Sequence, residues 1–397
     1  MTVHLPREAL NPGCAVDIPA VFYSLSFAPN PDFSKVYPPQ AEILEYFNKV
    51  ADKFDVSRHI VRNTEWEGAY WQDLTNSWLV KSKDLSTGQT FYYECVETFE
   101  GDIAHTAAWK ADLSLHQKDV IVVSNGCSAA QLIPAIAKEA GSITQFIRTP
   151  QFYLQNENMQ IDDKWKFIFR YVPGVLRLLR LIVILLLGST AVRFNINYKG
   201  NKARNLSAER SKAYIQSTAL APDLRQHLIS FDFYQEEYPA DAILLATGFA
   251  LTQYEVELVG RNGRTRDEHW GNFGYKEAYK STAMSGFPNF FYALSPNSGK
   301  CHTSAIHCIE NYVNLVIKVI SPALQDRASF VEVKPDSEKE YNENLHEKIA
   351  TTIFNNSCGS YFIDYKSQKN WFIYPWNSFV MWYSTHWGRS DDWTYDV

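Results

Sequence analysis

The chain has 397 residues, enough to bury a large core and to form two or three domains. Apolar residues make up 46% and charged residues 21%, the proportions of a folded protein and not of a disordered one. The net charge of −6, from 38 basic and 44 acidic side chains with no long Lys or Arg run, argues against a nucleic-acid partner. The six cysteines are scattered, without a C-x-x-C or zinc spacing, so no metal site is expected. Met1 to Pro6 hold no apolar run of the secretory kind. A reduced, cytoplasmic setting is expected.

Taken in chain order, Pro38 and Pro39 precede a helix with Ile43, Leu44, Phe47 and Val50 on one face. Residues 60–95 alternate around Trp66, Trp71, Trp78 and Tyr92 and read as a small antiparallel meander. Phe99 to Trp109 follow the pattern F-x-G-x-x-x-H-x-x-x-W, with His105 at its centre. Asp119 to Gln131 then read as a strand, a tight turn and a helix start. The turn runs Ser124, Asn125, Gly126, Cys127, Ser128, Ala129, Ala130, which approaches G-x-G-x-x-G/A with Ser124 in the first glycine's place. Such a turn seats a pyrophosphate on a helix N-terminus. A helix through Leu132, Ile133, Ile136 and Ala137 leads to a second strand, which ends in Arg148, Thr149 and Pro150. A cation there suits the 2′-phosphate of NADP, whereas NAD sites prefer a carboxylate.

Residues 175–187 are strongly apolar, but the uncharged part, Leu181 to Leu187, is far shorter than the roughly twenty residues that span a bilayer. Arg177 and Arg180 add a cost in hydrocarbon. A buried or interfacial helix is expected, with membrane-surface contact open and no spanning helix. Residues 193–222 are polar and locally helical, and Ala240 to Phe249 form a buried strand running into the turn at Thr247 and Gly248. A helix is expected over 305–320, and the tail, 358–397, is rich in Trp and Tyr without assignable chemistry.

The F-x-G-x-x-x-H-x-x-x-W stretch resembles the pattern that marks Baeyer–Villiger monooxygenases, flavin enzymes that insert oxygen beside a ketone. Pro12 to Pro19 and Phe22 to Pro31 are similar to that family's flavin-wrapping run, in which Asp17 and Tyr23 match flavin contacts. Ala246-Thr247-Gly248-Phe249, Gly286 to Phe291 and Ser295 to Gly299 match it further on, the last two as a strand and a loop near the flavin. The resemblance implies an α/β fold with two dinucleotide-binding domains, for FAD and NADP. The implied parts are a partial FAD domain with linker (1–115), an NADP domain with a helical insert (116–235), and the remaining FAD domain with the tail (236–397). It also implies that NADPH, FAD, dioxygen and a small-molecule ketone take part, in the manner of fungal secondary metabolism, with His105 in a hinge between the domains.

The chain departs from the family in several places. Lys110 stands where Pro or Asp is usual, and Ala15 and Val16 stand where an Arg is usual. The first G-x-G-x-x-G unit that holds the FAD pyrophosphate is missing, so an N-terminally truncated relative is expected. A loop before Phe99 is shortened. The basic pair carrying the family's catalytic Arg is also missing, because Arg225 lies upstream of its place, and no catalytic Arg is assigned. The alternative is therefore a degenerate relative that binds nucleotide or acts as a scaffold.

Overall fold

The structure, a computed structural model, describes residues 11–60, 64–84, 101–110, 112–147, 158–218, 240–246, 256–355, 362–364, 366–387 and 390–396. Helix α1 (Gln40–Lys53) starts directly after Pro39, whose ring ends the extended chain before it. Its Ile43, Phe47 and Val50 pack on Ala20, Phe33 and Ile161 as the spacing predicts, with Tyr46 joining them in place of the expected Leu44. Strands β1 (Thr64–Gln72) and β2 (Ser77–Asp84) form an antiparallel hairpin, with Trp71 facing Trp78 edge-on at 5.5 Å.

The second sheet positions the site. Strands β3 (Asp102–His105), β4 (Asp119–Val123), β5 (Ser142–Phe146) and β6 (Ala242–Leu245) lie in the order β3-β6-β4-β5, every pair parallel. Helix α2 (Cys127–Ile136) joins β4 to β5. Val120, Val122, Ala129, Leu132, Ile136, Ala242 and Leu244 form its core, with Leu113 and Trp109 packed against it. Near-continuous apolar strands are what a parallel sheet needs when its face is covered by a helix.

Three helices follow. In α3 (Asp163–Tyr171) the cap Asp162 accepts a hydrogen bond from Trp165 N at 2.9 Å. Next come α4 (Val175–Thr190) and the polar α5 (Tyr198–Thr218). A 3-10 turn extends α4 to Phe194, giving 20 residues with an 18-residue window of mean hydropathy 2.2, and by length and composition alone this helix could cross a membrane. The helix runs past the uncharged part, Leu181 to Leu187, on both sides and carries Arg177 and Arg180 within it. A buried helix is ruled out, since only 17% of its 18-residue apolar window is buried.

Strand β7 (Glu257–Val259) pairs parallel with β1, so the antiparallel β1–β2 pair of the expected meander belongs to a mixed sheet, β2-β1-β7, and the rest of that expectation, residues 85–95 with Tyr92, lies outside the described residues. The free edge of β1 is satisfied by a strand from far downstream. Helix α6 (Arg266–Phe273) opens on a capping box of Thr265 and Glu268. The segment 286–291, expected as a strand, is instead a run of turns. It packs Phe287 and Phe290 under the hairpin, and Trp78 Nε1 donates to Pro288 O at 2.8 Å. Helix α7 (Ala305–Leu324) runs slightly past its expected end. Strand β8 (Phe330–Val333), helices α8 (Pro335–Ala350) and α9 (Ser378–His386), and strand β9 (Trp393–Asp396) complete the chain, with β9 antiparallel to β8.

Candidate nucleotide-binding site

The turn after β4 is shaped to approach a ligand. Ser124 sits at φ +93°, a backbone region that glycine enters freely and other residues do not. It is held there by two contacts with β5: its N–H donates to Phe146 O and its carbonyl accepts from Gln145 Nε2, both at 2.9 Å. Gly126 caps α2, and a methyl group at its Cα would meet nothing nearer than Ser124 Oγ, 4.0 Å away. Among the described residues no side chain caps α2 and its first turn holds no carboxylate, so its N–H groups are available to an anion. Asn125 is buried, Cys127 is exposed, and Ser128 and Ala130 are partly exposed. Ala129 is fully buried in the sheet–helix core, the close packing that the third small residue of such a turn allows. These features fit a dinucleotide pyrophosphate.

The same edge of the sheet gathers two other segments. Thr106 N donates to Leu245 O at 2.9 Å, and Ala246 N donates to Val123 O at 3.1 Å. His105, Ser124 and Ala246 therefore share the carboxyl ends of parallel strands, where ligands bind in open α/β sheets. His105 Nδ1 accepts from Ala107 N at 3.1 Å, and its carbonyl accepts from Ala108 N at 2.9 Å, closing a tight turn. Thr106 is buried, and its hydroxyl has no hydrogen-bond partner among the described residues. Thr247 and Gly248, next after Ala246, lie outside the described residues, as do Arg148, Thr149 and Arg225.

The N-terminal strip docks on α2. Gly13 has φ +81°, and a Cβ there would lie 2.5 Å from Gln131 O. Gln131 then clasps Ala15, donating Nε2 to its carbonyl at 3.1 Å and accepting from its N–H at 3.5 Å. Downstream, Tyr23 Oη donates to the exposed Asp17 Oδ1 at 3.3 Å. Burial, reinforced by that carboxylate, pushes the Tyr23 phenol well above its usual range. The two residues are thus a hydrogen-bonded pair.

A cavity of about 330 Å³ lies elsewhere, between the turn after α4 (Ala191, Val192, Phe194), the loop Lys300–His302 and the tail (Tyr374, Trp376). It shares no residue with the phosphate turn. Lys300 Nζ donates to Trp376 O at 2.9 Å, and burial lowers its pKa to about 8. Burial likewise lowers His302 to about 4. Asn297 holds the tail against the loop, donating to the carbonyls of Asn370 and Ile373 at 2.9 and 3.1 Å. Lys300 and His302 escape a sequence reading, and only the aromatic density of the tail hints at a shared wall.

For FAD the fit is incomplete. Among the described residues there is one parallel strand–turn–helix unit of the pyrophosphate-binding kind, and it is the one at Ser124.

No protein-family model matches the chain. A Baeyer–Villiger monooxygenase of Streptomyces coelicolor is 27% identical over 425 residues, covering 93% of this chain and 81% of that protein. One from Pseudomonas aeruginosa is 26% identical, covering 92% and 79%. The chain is similar in sequence to Baeyer–Villiger monooxygenases along most of its length. A FAD-binding monooxygenase of Aspergillus niger, ktnD, is 26% identical over 94% of the chain and 72% of its own length. Among solved structures, cyclohexanone monooxygenase from Rhodococcus sp. Phi1 bound to NADP+ superposes with a TM-score of 0.81 at 20% identity, covering 98% of this chain and 91% of that one. An oxidized steroid monooxygenase bound to NADP gives 0.78 at 20% identity, with 98% and 92% covered. The fold is that of these two-dinucleotide-binding-domain flavin monooxygenases, α/β as expected.

Proposed function

We propose that the chain is a FAD- and NADPH-dependent monooxygenase of Baeyer–Villiger type, acting on a small-molecule ketone and dioxygen. The observation that carries this reading is the meeting of the Ser124–Cys127 turn, His105 and Ala246 at one edge of a parallel sheet, in a chain related to that family along nine-tenths of its length. The N–H groups at the start of α2 bind the NADPH pyrophosphate, and Arg148 pairs with its 2′-phosphate. His105 holds the Thr106–Ala108 turn beside the nucleotide. Asp17 and Tyr23 meet polar groups of the flavin that would otherwise be buried unpaired. FAD, met by Asp17 and Tyr23, would supply the redox chemistry, the capacity to accept hydride from NADPH and to activate dioxygen. A fungal secondary-metabolic setting is the finer part of the proposal, with the Aspergillus niger relative as its support.

The test is turnover with FAD, NADPH and a panel of ketones. The expected result is ketone-dependent NADPH consumption and an ester heavier than the ketone by one oxygen atom. NADPH binding without consumption, in protein that takes up no FAD, would establish the second reading, a nucleotide-binding relative without turnover. One observation favours that reading: the single pyrophosphate-binding unit among the described residues.

A further inference from the structure

Helix α4 has two unlike sides. Leu176 and Arg180 point into the protein. The Arg180 guanidinium donates to Ser24 O and pairs with Glu310 of α7 at 2.7 Å, both side chains nearly buried. The opposite side presents Leu178, Leu181, Leu185 and Leu186, each 50–64% exposed, with Ile182 between them. These positions recur every three or four residues, so they form one continuous stripe. Helix α3 packs beside α4 and adds exposed Trp165, Phe167 and Tyr171. An apolar face of this extent is unusual on a protein surrounded only by water.

The charges around it name the occupant. Residues 162–204 hold nine basic and two acidic side chains, in a chain whose net charge is −6. Lys164, Arg177, Lys199 and Lys202 are exposed on the helices that carry or flank the stripe. Apolar side chains flanked by cations are the makeup of a helix lying in a bilayer interface, and the cations favour anionic headgroups. A spanning arrangement would pull Arg180 from its buried carboxylate partner. It would also break the link from Ile196 N to Thr351 O (3.0 Å) just past the helix.

We propose that the exposed face of α3 and α4 docks the protein onto an anionic phospholipid surface, with α4 lying in the plane of the membrane. The last turn of α4 and the residues after it (Gly188, Ala191, Val192) also line the 330 Å³ cavity, so the docked face and the cavity share a wall. The docking rests on this surface alone and holds whether or not the chain turns over a ketone.

The experiment is flotation of the full chain with vesicles of phosphatidylcholine alone or of phosphatidylcholine mixed with phosphatidylserine. The expected result is flotation with the anionic vesicles, weaker flotation with the neutral ones, and loss as salt rises. The double variant Leu181→Glu/Leu185→Glu changes two exposed positions and should lower the partition coefficient at least about tenfold, with an unchanged thermal melt. Absence of flotation with anionic vesicles overturns the proposal. So does a protein dimer, seen by light scattering, that the double variant dissociates and whose formation leaves no lipid binding. Equal flotation of the wild type and the double variant would also overturn it.

Discussion

Ser124 occupies a backbone conformation that costs a non-glycine residue about 1–3 kcal/mol, and it does so at the turn proposed to seat a nucleotide. Ser124→Gly should relieve part of that cost, raising stability by about 1 kcal/mol and tightening NADP binding. A thermal melt and a nucleotide titration of the same preparation would check both, and a lower melting temperature would show that Ser124 Oγ, 3.4 Å from Gly126 N, matters more than the strain. In the proposed function Arg148 carries the choice of nucleotide. Charge-assisted hydrogen bonds contribute about 1.5–3 kcal/mol, so Arg148→Ala should erase a roughly tenfold to hundredfold preference for NADPH over NADH. Equal affinities in the unmutated chain would refute this. At this scale the sequence was informative wherever a residue's neighbours in the chain define its role: Gly126 and Ala129 keep places that a turn motif specifies. Lys300 and His302 were illegible, because their burial comes from residues some 70 positions away in the tail.

Among the elements, α4 depends most on one interaction. Arg180 and Glu310 are nearly buried, and the guanidinium also satisfies the carbonyl of Ser24, tying the N-terminal strip, α4 and α7 together. Arg180→Met would leave the carboxylate of Glu310 without its partner, at a cost of about 3 kcal/mol. The double variant Arg180→Met/Glu310→Gln should recover most of that loss in denaturant titrations. If the two single variants cost the same as the double one taken in sum, the pair is not coupled. The helix itself was legible from its Leu and Ile content. Its exposure was not, because hydrophobicity marks a face to be covered without saying by what. Likewise, the apolar runs at 119–123 and 240–246 announced buried strands, whereas the pairing of β7 with β1 carries no local signal, since three residues are too few for a period.

For the molecule as a whole, stability should depend on pH through a few deeply buried groups. Burial holds His302, His307 and His346 neutral down to about 4, 3 and 4, whereas in the unfolded chain they take protons near 6.5. The unfolded state therefore gains protons first as pH falls below 6.5, and stability drops. Glu277, wholly buried beside Glu338, stays protonated to about 10, whereas its unfolded carboxyl ionises near 4.5. Its contribution therefore shrinks as pH climbs from 4.5 towards 10. Below 6.5 three imidazoles outweigh one carboxyl, so the melting temperature should peak near pH 6.5. Glu277→Gln should flatten the decline between pH 6.5 and 8, and an unchanged slope in that variant would show that Glu277 does not cause it. The Gly13 contact has a consequence of a different kind. With no room for a methyl group between the N-terminal strip and α2, and with Gln131 clasping Ala15 from the other side, the strip is placed to act as a latch on the helix proposed to receive the nucleotide. A latch governs residence times: Gly13→Ala should shorten the lifetime of bound NADP+ in stopped-flow release while leaving its association rate unchanged.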